Sequence, residues 1–179
     1  MNLEHDALDL STLPEMVSSD ASDLDFSQAS TVDGIEPEDA DLKAGGWLWY
    51  NNLAVNNEVG NLLLKDGDPL KAGRIRFFIS DIHWRYGFSF STAIRSPLGK
   101  MIPTPDGWRF SGLLRYAIVL FQPISDKEVK AWRINESSRE TPQEVILDFQ
   151  QPIYFNINDS RGSYGDNSGS FDVYVQVVG

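Results

Sequence analysis

Apolar and polar side chains alternate with a period of two along several stretches of the chain. Ile75, Phe77 and Ile79 alternate with Arg74, Arg76, Phe78 and Ser80, which predicts a half-buried strand with a cationic outer face. Ile153, Phe155 and Ile157 alternate with Tyr154, Asn156 and Asn158, and Val173, Val175 and Val177 with Asp172, Tyr174 and Gln176. Leu113 to Phe121 is apolar except for Arg115 and rich in β-branched and aromatic residues, which predicts a central strand. Trp47, Trp49 and Tyr50 open the first strand of this kind. Between these runs, Asp66-Gly67-Asp68-Pro69, Ser96-Pro97-Leu98-Gly99 and Pro103-Thr104-Pro105-Asp106-Gly107 read as turns. No long stretch has a helical period. Many short strands without intervening helices predict an all-β fold, an antiparallel β-sandwich of small jelly-roll-like form.

The pattern changes at Gly45-Gly46, which divides the chain into an acidic arm over 1–45 and a sandwich domain over 46–179. The arm holds twelve Asp and Glu against Lys43 alone, and so carries the net charge of −11, while the rest of the chain is balanced. With Phe26 as its one aromatic residue, the arm cannot bury enough surface to offset its own ordering entropy, and it reads as a largely irregular tail. Two readings of it stay open: a solvated linker, or a segment whose Leu8, Leu10, Leu13, Met16 and Val17 dock on a protein partner or a larger assembly.

An acidic arm on a balanced domain offers no surface to a phosphate backbone or an anionic lipid, so nucleic-acid binding is not expected. Without an apolar run of membrane length or a signal-peptide pattern, neither membrane insertion nor classical secretion is expected. Cytoplasmic synthesis follows, with non-classical release or incorporation in an assembly left open. The absence of cysteine excludes disulfides, zinc–thiolate sites and a cysteine nucleophile.

Candidate chemistry lies in Asn158-Asp159-Ser160-Arg161-Gly162-Ser163-Tyr164-Gly165-Asp166-Asn167-Ser168-Gly169-Ser170, between two predicted strands. Ca²⁺ takes hard oxygens from carboxylates, amides and backbone carbonyls, and this loop holds all three, with Gly162 and Gly165 to let it fold around an ion. A plain long hairpin loop uses the same residue types, so composition leaves the choice open. The acidic spacing is not that of an EF-hand, and no Gly-Lys-Ser/Thr ending marks a P-loop.

The same run resembles the PA-I-like galactophilic lectins, small bacterial β-sandwiches that bind galactose through calcium. The likeness is carried by Asn158-Asp159 and by Gly162 to Phe171, with Leu53 to Gly60 and Asp68 to Ile79 upstream, and spans about Trp47 to Gly179. It implies Asp159, Asp166 and Asn167 as side-chain calcium ligands, with backbone carbonyls from Ser163 and from Tyr86. Asp159, Ser163 and Asp166 would also touch sugar. Asp166 stands where the family has Asn, which adds charge at the ion and removes a donor to a sugar hydroxyl. A family His and Gln that contact the sugar are missing from Thr104-Pro105-Asp106-Gly107. Thr104, and Trp108 through its apolar ring, are the candidate sugar contacts of that segment. The resemblance thus implies a galactose-type carbohydrate partner, with multivalent or homo-oligomeric assembly making up for weak single sites.

Catalysis is not expected. His83 beside Asp81 reads as a satisfied strand-end residue, and no nucleophile elbow marks a serine. Asp159 and Asp166 form a conceivable hydrolytic pair, but a solvated loop provides no apolar wall to raise one carboxyl pKa. Arg74, Arg76, Arg85, Arg95, Arg109 and Arg115 read as scattered sheet surface.

Overall fold

The computed structural model describes residues 9–87 and 92–179; Leu8 of the arm's apolar positions lies outside the described residues. Strands run β1 (Met16–Asp20), β2 (Ser30–Asp33), β3 (Trp47–Ala54), β4 (Asn61–Lys65), β5 (Asp68–Pro69), β6 (Arg74–Arg85), β7 (Ala93–Ile94), β8 (Ile118–Pro123), β9 (Glu128–Arg133), β10 (Gln143–Ile146), β11 (Tyr154–Ile157) and β12 (Ser168–Val177), with a short helix α1 (Ala40–Ala44) before β3. One sheet has the order β1-β9-β8-β11-β4-β2, with β5 on β4, and the other β10-β6-β12-β3, with β7 on β6. Pairing is antiparallel except between β2 and β4. The predicted all-β sandwich is the fold. No helix of the described residues is long and apolar enough to cross a membrane.

The core between the sheets follows the period-two pattern. Ile75, Phe77 and Ile79 of β6 and Val173 and Val175 of β12 face Ile118, Leu120, Phe155 and Ile157 of the other sheet. Phe77 and Phe155 meet across the layers with ring centroids 5.5 Å apart. On the opposite face of β6, Arg74 and Arg76 are exposed and share Glu144 of β10.

Two expectations need correction. The strand read over 113–121 begins only at Ile118, and Leu113 and Leu114 are buried in the loop before it. β11 is not half-buried, because all four of its residues lie inside. Phe155 and Ile157 point to the core, while Tyr154 joins a second apolar cluster on the outer face with Phe110, Leu113, Val119, Phe121, Val129 and Ala131.

The arm covers that second cluster, so it is not a solvated tail. Ala21 is fully buried in the cluster, and Val17, Leu24, Phe26 and Ala29 pack on it, with Phe26 edge-on to Tyr154. β1 pairs with β9 and β2 with β4, extending the sheet at both ends. Leu10 and Leu13, read as docking residues, instead pack against Leu98, Leu114 and Ala117. The entropy argument fails because the arm builds no core of its own; the outer face of the sheet supplies the apolar surface and the edge hydrogen bonds. Its acidity also has local uses. Asp9, Asp20 and Asp25 each accept the backbone N–H two residues on, from Ser11, Ser22 and Ser27. Asp39 caps α1 through the N–H groups of Asp41 and Leu42.

Candidate cation and sugar site

The loop over 158–167 leaves β11 in one sheet and enters β12 in the other, at one end of the sandwich. Asn158 fixes its departure. Fully buried, it accepts the Phe110 N–H through Oδ1 and donates through Nδ2 to the carbonyls of Phe110 and Leu114. Tyr164 fixes its middle. This buried ring donates its hydroxyl to the Ile157 carbonyl at 2.8 Å and accepts the Asp159 N–H at 3.2 Å. A loop rich in glycine and serine is therefore pinned from within by one aromatic residue.

Between these anchors, Asp159 is 3% exposed and Asn167 5%. Asn167 Nδ2 donates to Asp159 Oδ2 at 2.9 Å and to the Val55 carbonyl at 3.1 Å, while Asp159 Oδ1 accepts the Ser160 N–H at 2.7 Å. Asn167 Oδ1 is buried with no hydrogen-bond partner among the described residues. Burial pushes the Asp159 carboxyl above its usual value, against the lowering effect of the bonds from Asn167 and Ser160. The sequence reading placed both carboxylates in a solvated loop; for Asp159 that is corrected, because the sandwich end closes over it.

Asp166 lies on the exposed rim of the same loop. The position a Cβ would take at Gly87 is 3.8 Å from its Oδ2, which puts Asp166 beside the chain just after Tyr86. Register explains the neighbourhood, since Ser168 pairs with Arg85 and the residues flanking that pair, Asn167 and Tyr86, therefore converge. Ser163 is exposed, its Oγ accepting from Ser160 Oγ at 2.8 Å. Among the described residues no three His, Cys, Asp or Glu side chains form a metal-binding group. A cation here must draw on amide and backbone oxygens besides Asp159 and Asp166.

Beside the loop runs an aromatic ledge. Tyr86 and Tyr116 stack with centroids 3.8 Å apart and planes 3° from parallel, and Trp108 stands edge-on to Tyr116 at 5.2 Å. Tyr116 takes a left-handed backbone, φ 57°, an uncommon one for an aromatic residue. Its hydroxyl pKa is raised by burial and then by the charge of Asp159, with a smaller contribution from Asp166. Lys100 Nζ lies 5.0 Å over the Tyr86 ring and the Arg115 guanidinium 5.4 Å over Trp108, closing the ledge at both ends.

Trp108 is drawn to the loop by the backbone. It forms a bridge with Ser160, Arg109 N–H donates to the Asp159 carbonyl at 2.9 Å, and Arg161 N–H to the Gly107 carbonyl at 3.0 Å. Thr104 is a correction. It is buried, its hydroxyl donating to the Leu113 carbonyl at 2.7 Å and accepting the Gly112 N–H at 3.1 Å, so it closes its own loop and has no hydroxyl left for a ligand.

Arg109 is also not sheet surface. With 0% exposure it donates to Asp23 Oδ1 and Oδ2 at 2.9 and 2.7 Å and to Glu58 Oε1 at 2.6 Å. Burial acts against its charge, and its bonds to both carboxylates outweigh it. Sequence reasoning missed Arg109, Glu58, Tyr116 and Tyr164. Tyr164, an aromatic residue within a run of Gly, Ser and Asp, was the one with a readable signal. Asn158-Asp159-Ser160 matches a glycosylation pattern, but the Asn158 amide is buried and engaged. His83 is exposed, with Nδ1 2.7 Å from the Asp81 carbonyl and Nε2 3.4 Å from Ser170 Oγ, at the end of the oxygen-rich run.

No protein family and no curated protein matches the chain. Among solved structures the chain is similar to the EclA N-terminal domain, described as a PllA-like lectin, with 22% identity over 73% of this chain and 96% of that one, at a TM-score of 0.38. That likeness is too distant to transfer a function.

Proposed function

We propose that the protein is a non-catalytic, calcium-dependent carbohydrate-binding module whose site is the closed end of the sandwich. Asp159, Asp166 and Asn167 would hold the ion through side-chain oxygens, and Ser163 and Tyr86 through backbone carbonyls. One observation carries the reading: Asn167 Oδ1 is buried and has no hydrogen-bond partner among the described residues, next to a carboxylate that burial has made costly to ionise. Leaving a buried acceptor unsatisfied costs about 1–3 kcal/mol. A cation between these oxygens satisfies the amide and compensates the carboxylate together, and a set made only of oxygens suits a hard cation such as Ca²⁺.

When bound, the ion supplies coordination positions that sugar hydroxyls enter in place of water. The chain's own residues do the rest. Asp166 at the rim accepts from sugar hydroxyls, and Trp108 with Tyr116 offers an apolar wall to the C–H face of a pyranose. With Thr104 engaged elsewhere and no His–Gln pair present, selectivity for galactose-type sugars rests on Asp166 and the ledge. Single sites of this kind are weak, and multivalent presentation supplies avidity.

Calorimetric titration with Ca²⁺, followed by galactose and then a glycan array with and without chelator, tests the reading. Ca²⁺ binding that disappears in Asp159→Ala and in Asn167→Leu supports it. Folded wild-type protein that takes up no Ca²⁺ ends it.

A further inference from the structure

We infer that the acidic arm is a working part of this site: a bridge from Asp23 through buried Arg109 to Glu58 positions the loop over 159–163, so docking of the arm and binding of the cation are linked. The inference rests on the functional reading above.

The contacts form a continuous path. Asp23, on the arm, takes two parallel bonds from the Arg109 guanidinium at 2.9 and 2.7 Å. Arg109 Nη2 donates to Glu58 Oε1 at 2.6 Å, and that same oxygen accepts the Gly162 N–H at 3.0 Å. The backbone N–H of Arg109 holds the Asp159 carbonyl at 2.9 Å. A second strand of the bridge runs from Arg161, whose Nη2 donates to the Asp20 carbonyl at 3.0 Å. The guanidinium is thus held between one carboxylate from the arm and one from the sandwich, and its main chain touches the first candidate ligand. Asp23 is held down to about pKa 2, first by its hydrogen bond to Arg109.

The loop needs such support because Gly162, at φ 81°, and Gly165 leave its free chain wide conformational freedom. Without Asp23, the buried Arg109 guanidinium loses two of its hydrogen bonds and keeps Glu58 as its one carboxylate partner among the described residues, and the Glu58 carboxylate is drawn from Gly162 toward it. Asp23 and Arg109 are therefore positioning residues. By reciprocity, a cation that orders the loop also tightens the arm, and a macromolecule that strips away the arm releases the cation.

The test uses the full-length chain, with Ca²⁺ as the probe and hydrogen exchange as a second readout. Asp23→Ala is expected to weaken Ca²⁺ binding about tenfold and to speed exchange at the Gly162 amide, and Asp23→Glu to restore part of both. Asp25→Ala removes the same charge from the arm, where among the described residues the carboxylate bonds only Ser27, and is expected to change neither. In wild type, saturating Ca²⁺ is expected to slow exchange in β1. Wild-type affinity and wild-type Gly162 exchange in Asp23→Ala overturn the inference, as does an equal loss in Asp25→Ala, which would reduce it to bulk charge. Wild-type protein that binds no Ca²⁺ overturns the functional reading and the linkage together; Gly162 exchange in Asp23→Ala then decides the positioning role by itself.

Discussion

Asp159 combines a buried carboxyl, a raised pKa and an amide neighbour with an unpaired oxygen, and each has a measurable consequence. Between the ordinary carboxyl value of 3.8 and the higher value in the fold, the native state binds more protons than the unfolded chain. In chelator, Asp159 therefore contributes a stability that falls as pH rises through that window. On the proposed reading Ca²⁺ would oppose this by favouring the ionised form, so calcium affinity is expected to weaken as pH falls through the raised value. Thermal unfolding against pH, with and without Ca²⁺, should show the two trends diverging in wild type and not in Asp159→Asn. Asp166 is exposed, and on the proposed reading the ion would need only an oxygen there, so Asp166→Asn is expected to keep calcium and shift the glycan profile, read on an array. Tyr164→Phe removes one hydroxyl and leaves the Ile157 carbonyl and the Asp159 N–H unpaired inside the fold. Its expected cost is about 1–3 kcal/mol in urea unfolding, with weaker calcium binding because Asp159 loses its fixed backbone.

At the scale of elements, the site depends on how closely β12 approaches β6 just after Asn167. A Cβ at Gly169 would stand 2.2 Å from the His83 carbonyl oxygen, and the backbone there has φ 100°. Gly169→Ala is expected to cost well over ~1 kcal/mol and to impair calcium binding from outside the ligand set, as denaturant melts and calorimetry would show. β1 and the turn after it are held on the sheet by the Asp23 pair. Because the Asp23 pKa is lowered from 3.8 to about 2, its contribution is present above 3.8 and is lost as pH falls through about 2. Exchange protection in β1 should therefore fail with acid before that of β6 and β12, and Asp23→Asn should remove the step.

For the whole molecule, a ligand held by the loop where the two sheets close would stabilise the fold. Calcium at one hundred times its dissociation constant should add about 2.7 kcal/mol to the native state. Equal thermal gains in wild type and Asp159→Ala would place the ion elsewhere. What the residue pattern alone determined was the sandwich and the address of the loop. Strands such as 74–80 and 173–177 declare themselves because a half-buried pleat forces alternation, and an oxygen-rich run between two strands is local in sequence. The Asp-x-Ser turns of the arm, at Asp9, Asp20 and Asp25, are equally local, but the acidic composition that reads as an irregular tail hides them. Only the tertiary structure decided that the arm covers the sheet, that Asp159 is buried while Asp166 is not, that Thr104 is turned inward, and that Arg109 joins Asp23 to Glu58. Apart from Thr104, whose partners are near in sequence, those outcomes depend on contacts between residues far apart in the chain, such as Arg109 with Glu58, 51 positions away, and with Asp23, 86 positions away. Burial is a property of what the rest of the chain packs against a residue, and no local pattern carries it.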